Sequence, residues 1–373
     1  MPSDLLAPSF SRSFFHQLLL TTGVAAVSLL AVNTMAENDF DHDAKTDMVV
    51  WRPSDGTWYV QTSSSVWTNS FSRQWGLIND VPIMNADFDG DGASDMTVWR
   101  PSNGTWYTRT SASNWNDSFS VQWGQVGDIT LGNSDFDGDG RSDMGVWRPT
   151  NGTWYIKTSS SNWSANTAVA HGTAGDIPII QTDFDGDGID DMAVWRPSDG
   201  NWLVRTSSSG WGSGFTRQWG LIGDTPLMDS DFDGDGKADI AVWRPSNGTW
   251  YVRTSTSDWN SSFSVQWGLY GDTPIVNTDF DGDGIDDMAV WRPSNGTWYV
   301  KTSSSGWKDS FSRQWGLVND VPLANTDFDG DNKADMAVWR PSDGTWYVKT
   351  SSSSWNSSFS RQWGIVGDVL INN

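Results

Sequence analysis

The sequence predicts an all-β fold, a seven-bladed β-propeller of four-stranded blades built from 48-residue repeats. Three observations predict it. An acidic loop recurs with its first Asp at Asp39, Asp87, Asp135, Asp183, Asp231, Asp279 and Asp327. Each period divides into four short apolar-alternating runs separated by turn residues. The ends of the chain are permuted: the first repeat lacks its first strand, and Gly367-Asp368-Val369-Leu370-Ile371-Asn372 supplies one with no loop after it. Fixed periods of this length mean solenoids, propellers or arrays, and four strands per period repeated seven times is a propeller. The C-terminal strand is expected to complete blade one and remove the open edges that invite aggregation. An open solenoid has no need of that permutation.

Residues 1–36 read as a secretory signal peptide. Arg12 and His16 precede an apolar stretch from Leu18 to Val32, and Thr34-Met35-Ala36 offers cleavage after Ala36. The stretch is short for a membrane span, and an uncleaved N-terminal anchor is the alternative. Residues 37–373 form one domain, since no linker or composition break interrupts the array. The expected location is secreted or extracellular, with the periplasm or cell surface as variants, and no membrane span after cleavage.

Within a repeat, the strands are expected at Val81–Ala86, Met96–Pro101, Trp106–Thr110 and Phe119–Trp123. Asn103-Gly104 suits a type I′ two-residue turn, which would pair Pro101 with Trp106 and Arg100 with Tyr107. Side chains alternate across a strand, so Trp99 and Trp106 would share one face and Arg100 and Tyr107 the other, with a cation–π contact between the latter two. All 27 Trp fall at four repeat positions, exemplified by Trp99, Trp106, Trp115 and Trp123. The first, second and fourth are expected between blades. The third (Trp67, Trp115, Trp163, Trp211, Trp259, Trp307 and Trp355) lies in a Ser-rich loop at the same end as the acidic loops. These seven either pack on the neighbouring blade or stack on sugar rings.

The acidic loop is the chemical signal. Asp87-Phe88-Asp89-Gly90-Asp91-Gly92-Ala93-Ser94-Asp95 places carboxylates at positions 1, 3, 5 and 9 with Gly at position 6. Carboxylates this close repel unless a cation sits among them. Hard oxygen ligands at flexible spacing suit Ca²⁺, which takes six to eight oxygens, better than Mg²⁺. The carbonyl of position 7, Ala93, is the expected fifth protein ligand. An EF-hand would need Glu at position 12, where Val98 stands. The candidate ligands are Asp39, Asp41, Asp43 and Asp47; Asp87, Asp89, Asp91 and Asp95; Asp135, Asp137, Asp139 and Asp143; Asp183, Asp185, Asp187 and Asp191; Asp231, Asp233, Asp235 and Asp239; Asp279, Asp281, Asp283 and Asp287; and Asp327, Asp329, Asp331 and Asp335. Up to seven structural Ca²⁺ are expected. Ala44 and Asn332 replace Gly at position 6, and because Ala tolerates a left-handed backbone poorly the first site is expected to be the weakest.

Net charge is −23, but the loops hold 28 of the 46 acidic residues; seven bound divalent ions would leave about −9. The acidity is mainly that of the loops. No basic patch exists to neutralise phosphates, which excludes nucleic acid as a partner. There is no cysteine, so no disulfide holds the fold. Blade three has Thr167 and His171 in place of Phe and Trp, and blade four has Leu203 in place of Tyr.

Trp75-Gly76, the Asp87–Gly92 run and Asp95-Met96-Thr97-Val98-Trp99-Arg100-Pro101 together resemble the FG-GAP repeat, found also in VCBS-type bacterial proteins and in the propeller of integrin α chains. The likeness covers residues 37–373. Phe-Gly reads here as Trp-Gly, and Gly-Ala-Pro as Trp-Arg-Pro, which is closer to the bacterial variants. The resemblance implies a seven-bladed ring with Ca²⁺ between first and second strands, and extracellular adhesion or ligand binding. Integrin-style heterodimerisation is not implied. Some lectins that bind sugars between blades look similar.

Function is accordingly expected to be that of a secreted, calcium-binding, non-catalytic adhesion or ligand-binding module, whose partner is an extracellular protein, a cell surface or a glycan. A multivalent lectin is the alternative, since near-identical sites round a ring add avidity. A polysaccharide-active enzyme is the third reading. It lacks support, because no Ser-His-Asp or Cys-His set is present and the strict spacing leaves no insertion to carry one.

Overall fold

The computed structural model describes residues 38–371, and the N-terminal segment read as a signal peptide lies outside them. The described chain forms seven four-stranded antiparallel sheets. In blade two the strands are Val81–Ile83, Met96–Arg100, Thr105–Arg109 and Ser118–Gln122, in sheet order as in sequence. The first strand lies nearest the ring axis. There, equivalent positions of adjacent blades touch: the Asn277 side-chain amide donates to Asp229, and Gln181 to the Gly132 carbonyl.

Closure runs as expected. The C-terminal strand Val369–Leu370 adds to Met48–Arg52 of blade one, pairing Leu370 with Val50 and Val369 with Trp51. The Asn38 side chain donates to the Ile371 carbonyl 333 residues away. Seven hydrophobic clusters form, each shared between neighbouring blades; one joins Val49, Trp51, Trp58 and Val60 of blade one to Met96, Val98 and Trp115 of blade two. Both faces of a blade are therefore buried, which is why the second and third strands carry large apolar groups on both sides.

The hairpin differs from the two-residue turn. Arg100 pairs with Thr105 and Trp99 with Trp106, so Pro101-Ser102-Asn103-Gly104 is a four-residue loop. Its Gly104 is left-handed at φ +63°, and Asn103 is not. Asn103 instead caps the loop, its side-chain oxygen accepting from the Thr105 amide, and the fixed φ of Pro101 suits the start of such a loop. Arg100 and Tyr107 still share a face, and the guanidinium lies 4.3 Å from the ring centroid. The glycine is compulsory: a Cβ on Gly104 would stand 2.1 Å from the Gly124 carbonyl oxygen of the turn beside it.

Antiparallel order puts the acidic loops and Ser-rich loops at one end of the ring. The Pro-Ser-Asn-Gly hairpins and the turns between blades lie at the other end.

Candidate metal centres

Each acidic loop winds around its own first carboxylate. Asp87 accepts from the amides of Gly90 at 2.6 Å and Gly92 at 2.8 Å, a curl that needs left-handed backbone at both glycines. Asp95 ends the loop by accepting from the Phe88 amide at 2.8 Å. Asp87, Asp89 and Asp95 then present one oxygen each within 4.8 Å of one another; seven such carboxylate groups occur among the described residues. Asp91 stands outside that trio but is tied to it by Ser111, whose hydroxyl reaches Asp91 at 2.8 Å and Asp95 at 3.0 Å. The same hydroxyl lies 3.5 Å from the Ala93 carbonyl, so the position-7 oxygen faces the cluster. In loop one the trio is Asp39, Asp41 and Asp43, with Asp47 joined through Ser63.

The serines went unread in the sequence. Ser63, Ser111, Ser159, Ser207, Ser255, Ser303 and Ser351 each donate their amide to the position-9 carboxylate of their own blade. The next residue adds a hydroxyl to the position-3 carboxylate, as Ser160 does to Asp137 and Thr256 to Asp233. Blade two has Ala112 there and offers only its amide, to Asp89. The signal that could have found them is that Thr-Ser opens the Ser-rich loop in every repeat.

Electrostatics fit a cation. Burial, followed by repulsion from Asp41, Asp89 or Asp329, pushes Asp47, Asp95 and Asp335 up to about 8. Burial raises Asp143, Asp191, Asp239 and Asp287 to about 7, and Asp87 to about 6. Such groups are costly as bare anions and favourable as metal ligands. One more observation bears on the fit: the buried Oδ1 atoms of Asp41, Asp185, Asp281 and Asp329, all at position 3, accept no hydrogen bond. A buried carboxylate oxygen without a partner is rare, and a cation in the cluster would supply one.

Loop one carries two strained residues. Ala44 (φ +62°) replaces the position-6 Gly, and His42 (φ +59°) replaces the position-4 Gly, where the other six loops have glycine. His42 thus adds a second left-handed non-glycine residue to the Ala44 on which the expectation of a weak first site rests.

The seven loops are chained together. The position-8 amide of each donates to the position-1 carbonyl of the preceding loop: Ser94 to Asp39, Ser142 to Asp87, Asp190 to Asp135, Ala238 to Asp183, Asp286 to Asp231 and Ala334 to Asp279, at 2.7–2.9 Å. Thr46 to Asp327 closes the circle.

The loop tryptophans lie between blades. Trp115 and Trp259 are 7% exposed, and the other five are half-buried. Six stack on a Phe of the preceding blade at 4.2–4.6 Å between centroids, as Trp115 does on Phe71. All seven hold left-handed backbone, φ +54 to +57°, a genuine outlier for a bulky residue. Trp211 is the exception to the stacking, because Thr167 stands where the Phe would be.

His171 and Leu203 belong to the same seam. Elsewhere a Trp indole N–H donates to the carbonyl of a Tyr 32 residues on, as Trp123 does to Tyr155; here the His171 ring nitrogen meets the Leu203 carbonyl at 2.9 Å. Burial lowers the His171 pKa. The three departures from the repeat thus fall on one interface, between blades three and four.

The FG-GAP-like repeat family model matches residues 135–194, one full period and the following acidic loop. No curated protein sequence matches the chain. Among solved structures, dihydro-heme d1 dehydrogenase NirN in complex with DHE is similar at 11% identity over 86% of this chain and 75% of that one, with a TM-score of 0.50. A functionally unknown protein from Desulfotomaculum acetoxidans is similar at 12% identity over 87% and 98%, also at 0.50. At these identities the likeness is one of fold. Among the described residues no helix is long and apolar enough to cross a membrane.

Proposed function

Because the chain is an FG-GAP-repeat β-propeller, we propose that it is a secreted, calcium-loaded, non-catalytic ring that binds an extracellular protein or a cell surface. The observation that carries the calcium reading is the set of buried, partnerless Oδ1 atoms at position 3, aimed into carboxylate clusters. In each loop the Asp at positions 1, 3 and 9, with position 5 held through the serine, would hold the ion. The ion would supply charge balance where hydrogen bonds leave oxygens unmet. Since the loops are hydrogen-bonded in a closed circle, the metal's role is to hold the ring, and its carboxylates are committed as ligands. That commitment supports a binding role over a catalytic one.

A lectin reading retains one specific point of support. Trp211 is the only one of the seven loop indoles without a Phe stacked on it, so a single sugar site at the seam between blades three and four is the form this reading takes.

The test is a glycan array and a pull-down from cell-surface extracts, each run with millimolar Ca²⁺ and with chelator. Calcium-dependent capture of a surface protein with a blank array supports the adhesion reading. Selective glycan binding lost in Trp211→Ala supports the lectin. Turnover of a polysaccharide by the purified chain would refute the non-catalytic reading.

A further inference from the structure

The exposed apolar residues of the ring are not scattered. Of the eighteen large hydrophobic side chains exposed among the described residues, sixteen lie in the turns between blades or at the first residue of the strand that follows. Those turns share one end of the ring, opposite the acidic loops. Their tips project: Ile222 is 81% exposed and Tyr270 84%. Monomers seldom expose a contiguous apolar patch above a few hundred Å². Sixteen such side chains present apolar surface on the order of 1,000 Å², comparable to the roughly 800 Å² per partner of a stable interface.

The charges at this end are largely cancelled. In every turn an Asp is clamped by the Arg that starts the neighbouring hairpin, as Asp80 is by Arg100 through two bonds of 2.8 Å. The carboxylates outside these pairs are Asp55, Asp199 and Asp343 of the hairpins. The 28 carboxylates of the acidic loops are at the far end.

We infer that this end is a face-to-face interface with a second copy of the chain. Two observations choose that occupant. The surface offers hollows as well as tips: one lies between Ile78 and Val126, with a volume of about 340 Å³, walled by Leu77, Pro101 and Ser102, and another lies beside Leu317, lined by Arg340 and Tyr347. An inverted copy presents tips at the same sevenfold pitch, so tips of one ring enter grooves of the other, an isologous contact that closes. The pairing also points both acidic ends outward, away from each other.

The experiment is sedimentation equilibrium of the full chain with Ca²⁺ over a wide concentration range, beside a variant with Ile78→Lys, Ile222→Lys and Tyr270→Lys. All three positions are exposed tips outside the inter-blade cores, so the variant should fold with the parent's strand content by circular dichroism. The expected result is twice the chain mass for the parent and the single-chain mass for the variant. A parent that stays monomeric at high concentration, or a dimer that survives the three lysines, overturns the proposal. A monomer that floats with phosphatidylcholine vesicles, and loses this in the variant, overturns it too and assigns the face to a bilayer.

Discussion

Thr46 and Asp327 close the molecule at its acidic-loop end by exchanging two hydrogen bonds. The Thr46 amide donates to the Asp327 carbonyl at 2.7 Å, and the Asp327 amide donates back to the Thr46 hydroxyl at 3.0 Å. They are 281 residues apart. Six similar links join the other loops, so the position-1 backbone of each site is tied to the next. Each loop is therefore in direct hydrogen-bonded contact with the one before it and the one after it.

The raised carboxylates give the metal-free and calcium-loaded proteins opposite pH dependence. Without metal, Asp47, Asp95 and Asp335 titrate near 8 and four equivalents near 7 in the fold, against about 3.9 unfolded. A raised folded value contributes stability that is complete below the unfolded pKa and lost as pH rises through the folded one. His171, lowered by burial, acts the other way, but it is one group against seven. Metal binding requires the deprotonated form, so the loaded protein gains stability over the same window. Melting curves are expected to rise from pH 8 to 5.5 in chelator and to fall over that range with Ca²⁺. A metal-free melting temperature that climbs with pH between 5.5 and 8 would contradict this.

Loop one should bind metal least tightly. Ala44 and His42 both hold left-handed backbone, at about 1–2 kcal/mol each. Ala44→Gly and His42→Gly together should tighten the first site and raise thermal stability. A competitive chelator titration reads the affinities; a first site as tight as the rest in the parent would refute the ranking.

The seam between blades three and four should be the weakest of the seven. Thr167→Phe restores the ring under Trp211, His171→Trp restores the indole, and Leu203→Tyr restores the phenol beneath Arg196. Aromatic pairs contribute about 0.5–1.5 kcal/mol and a cation–π contact about 0.5–1, so the triple variant should gain about 2 kcal/mol. Hydrogen exchange of the parent should show Thr153–Lys157 and Asn166–Ala170 opening before their equivalents. Uniform protection round the ring would contradict a weak seam.

Gly248→Ala should be strongly destabilising, though Gly248 sits at a polar hairpin tip. Its Cβ would meet the Gly268 carbonyl oxygen at 2.2 Å, at a φ of +65°. Overpacking and the left-handed penalty together suggest about 3 kcal/mol. A chemical denaturation midpoint unchanged from the parent would show that the hairpin yields.

Much of this was legible in the sequence because the repeat restates each element seven times. The four strands, the closure by Val369–Leu370 and the carboxylate pattern could all be read. The hairpin register could not: Asn103-Gly104 is a strong local signal for a two-residue turn, and nothing local shows that Pro101 and Ser102 have already left the strand. The left-handed tryptophans were hidden for a similar reason, since pattern reading assumes an ordinary backbone under a bulky residue. Thr167, His171 and Leu203 looked like scattered departures. They converge because inter-blade contacts join a residue to one 32 or 44 further on, as in His171–Leu203 and Phe71–Trp115. The serine hydroxyls were passed over because a Ser-rich loop reads as generic surface.

Whether calcium holds the ring is decided by differential scanning calorimetry at pH 7.5 with Ca²⁺ and with excess chelator. Ligand that binds only the folded state raises its stability. One cooperative transition is expected in Ca²⁺, and a transition many degrees lower in chelator. The same melting temperature in both would show that the acidic loops hold the ring without metal.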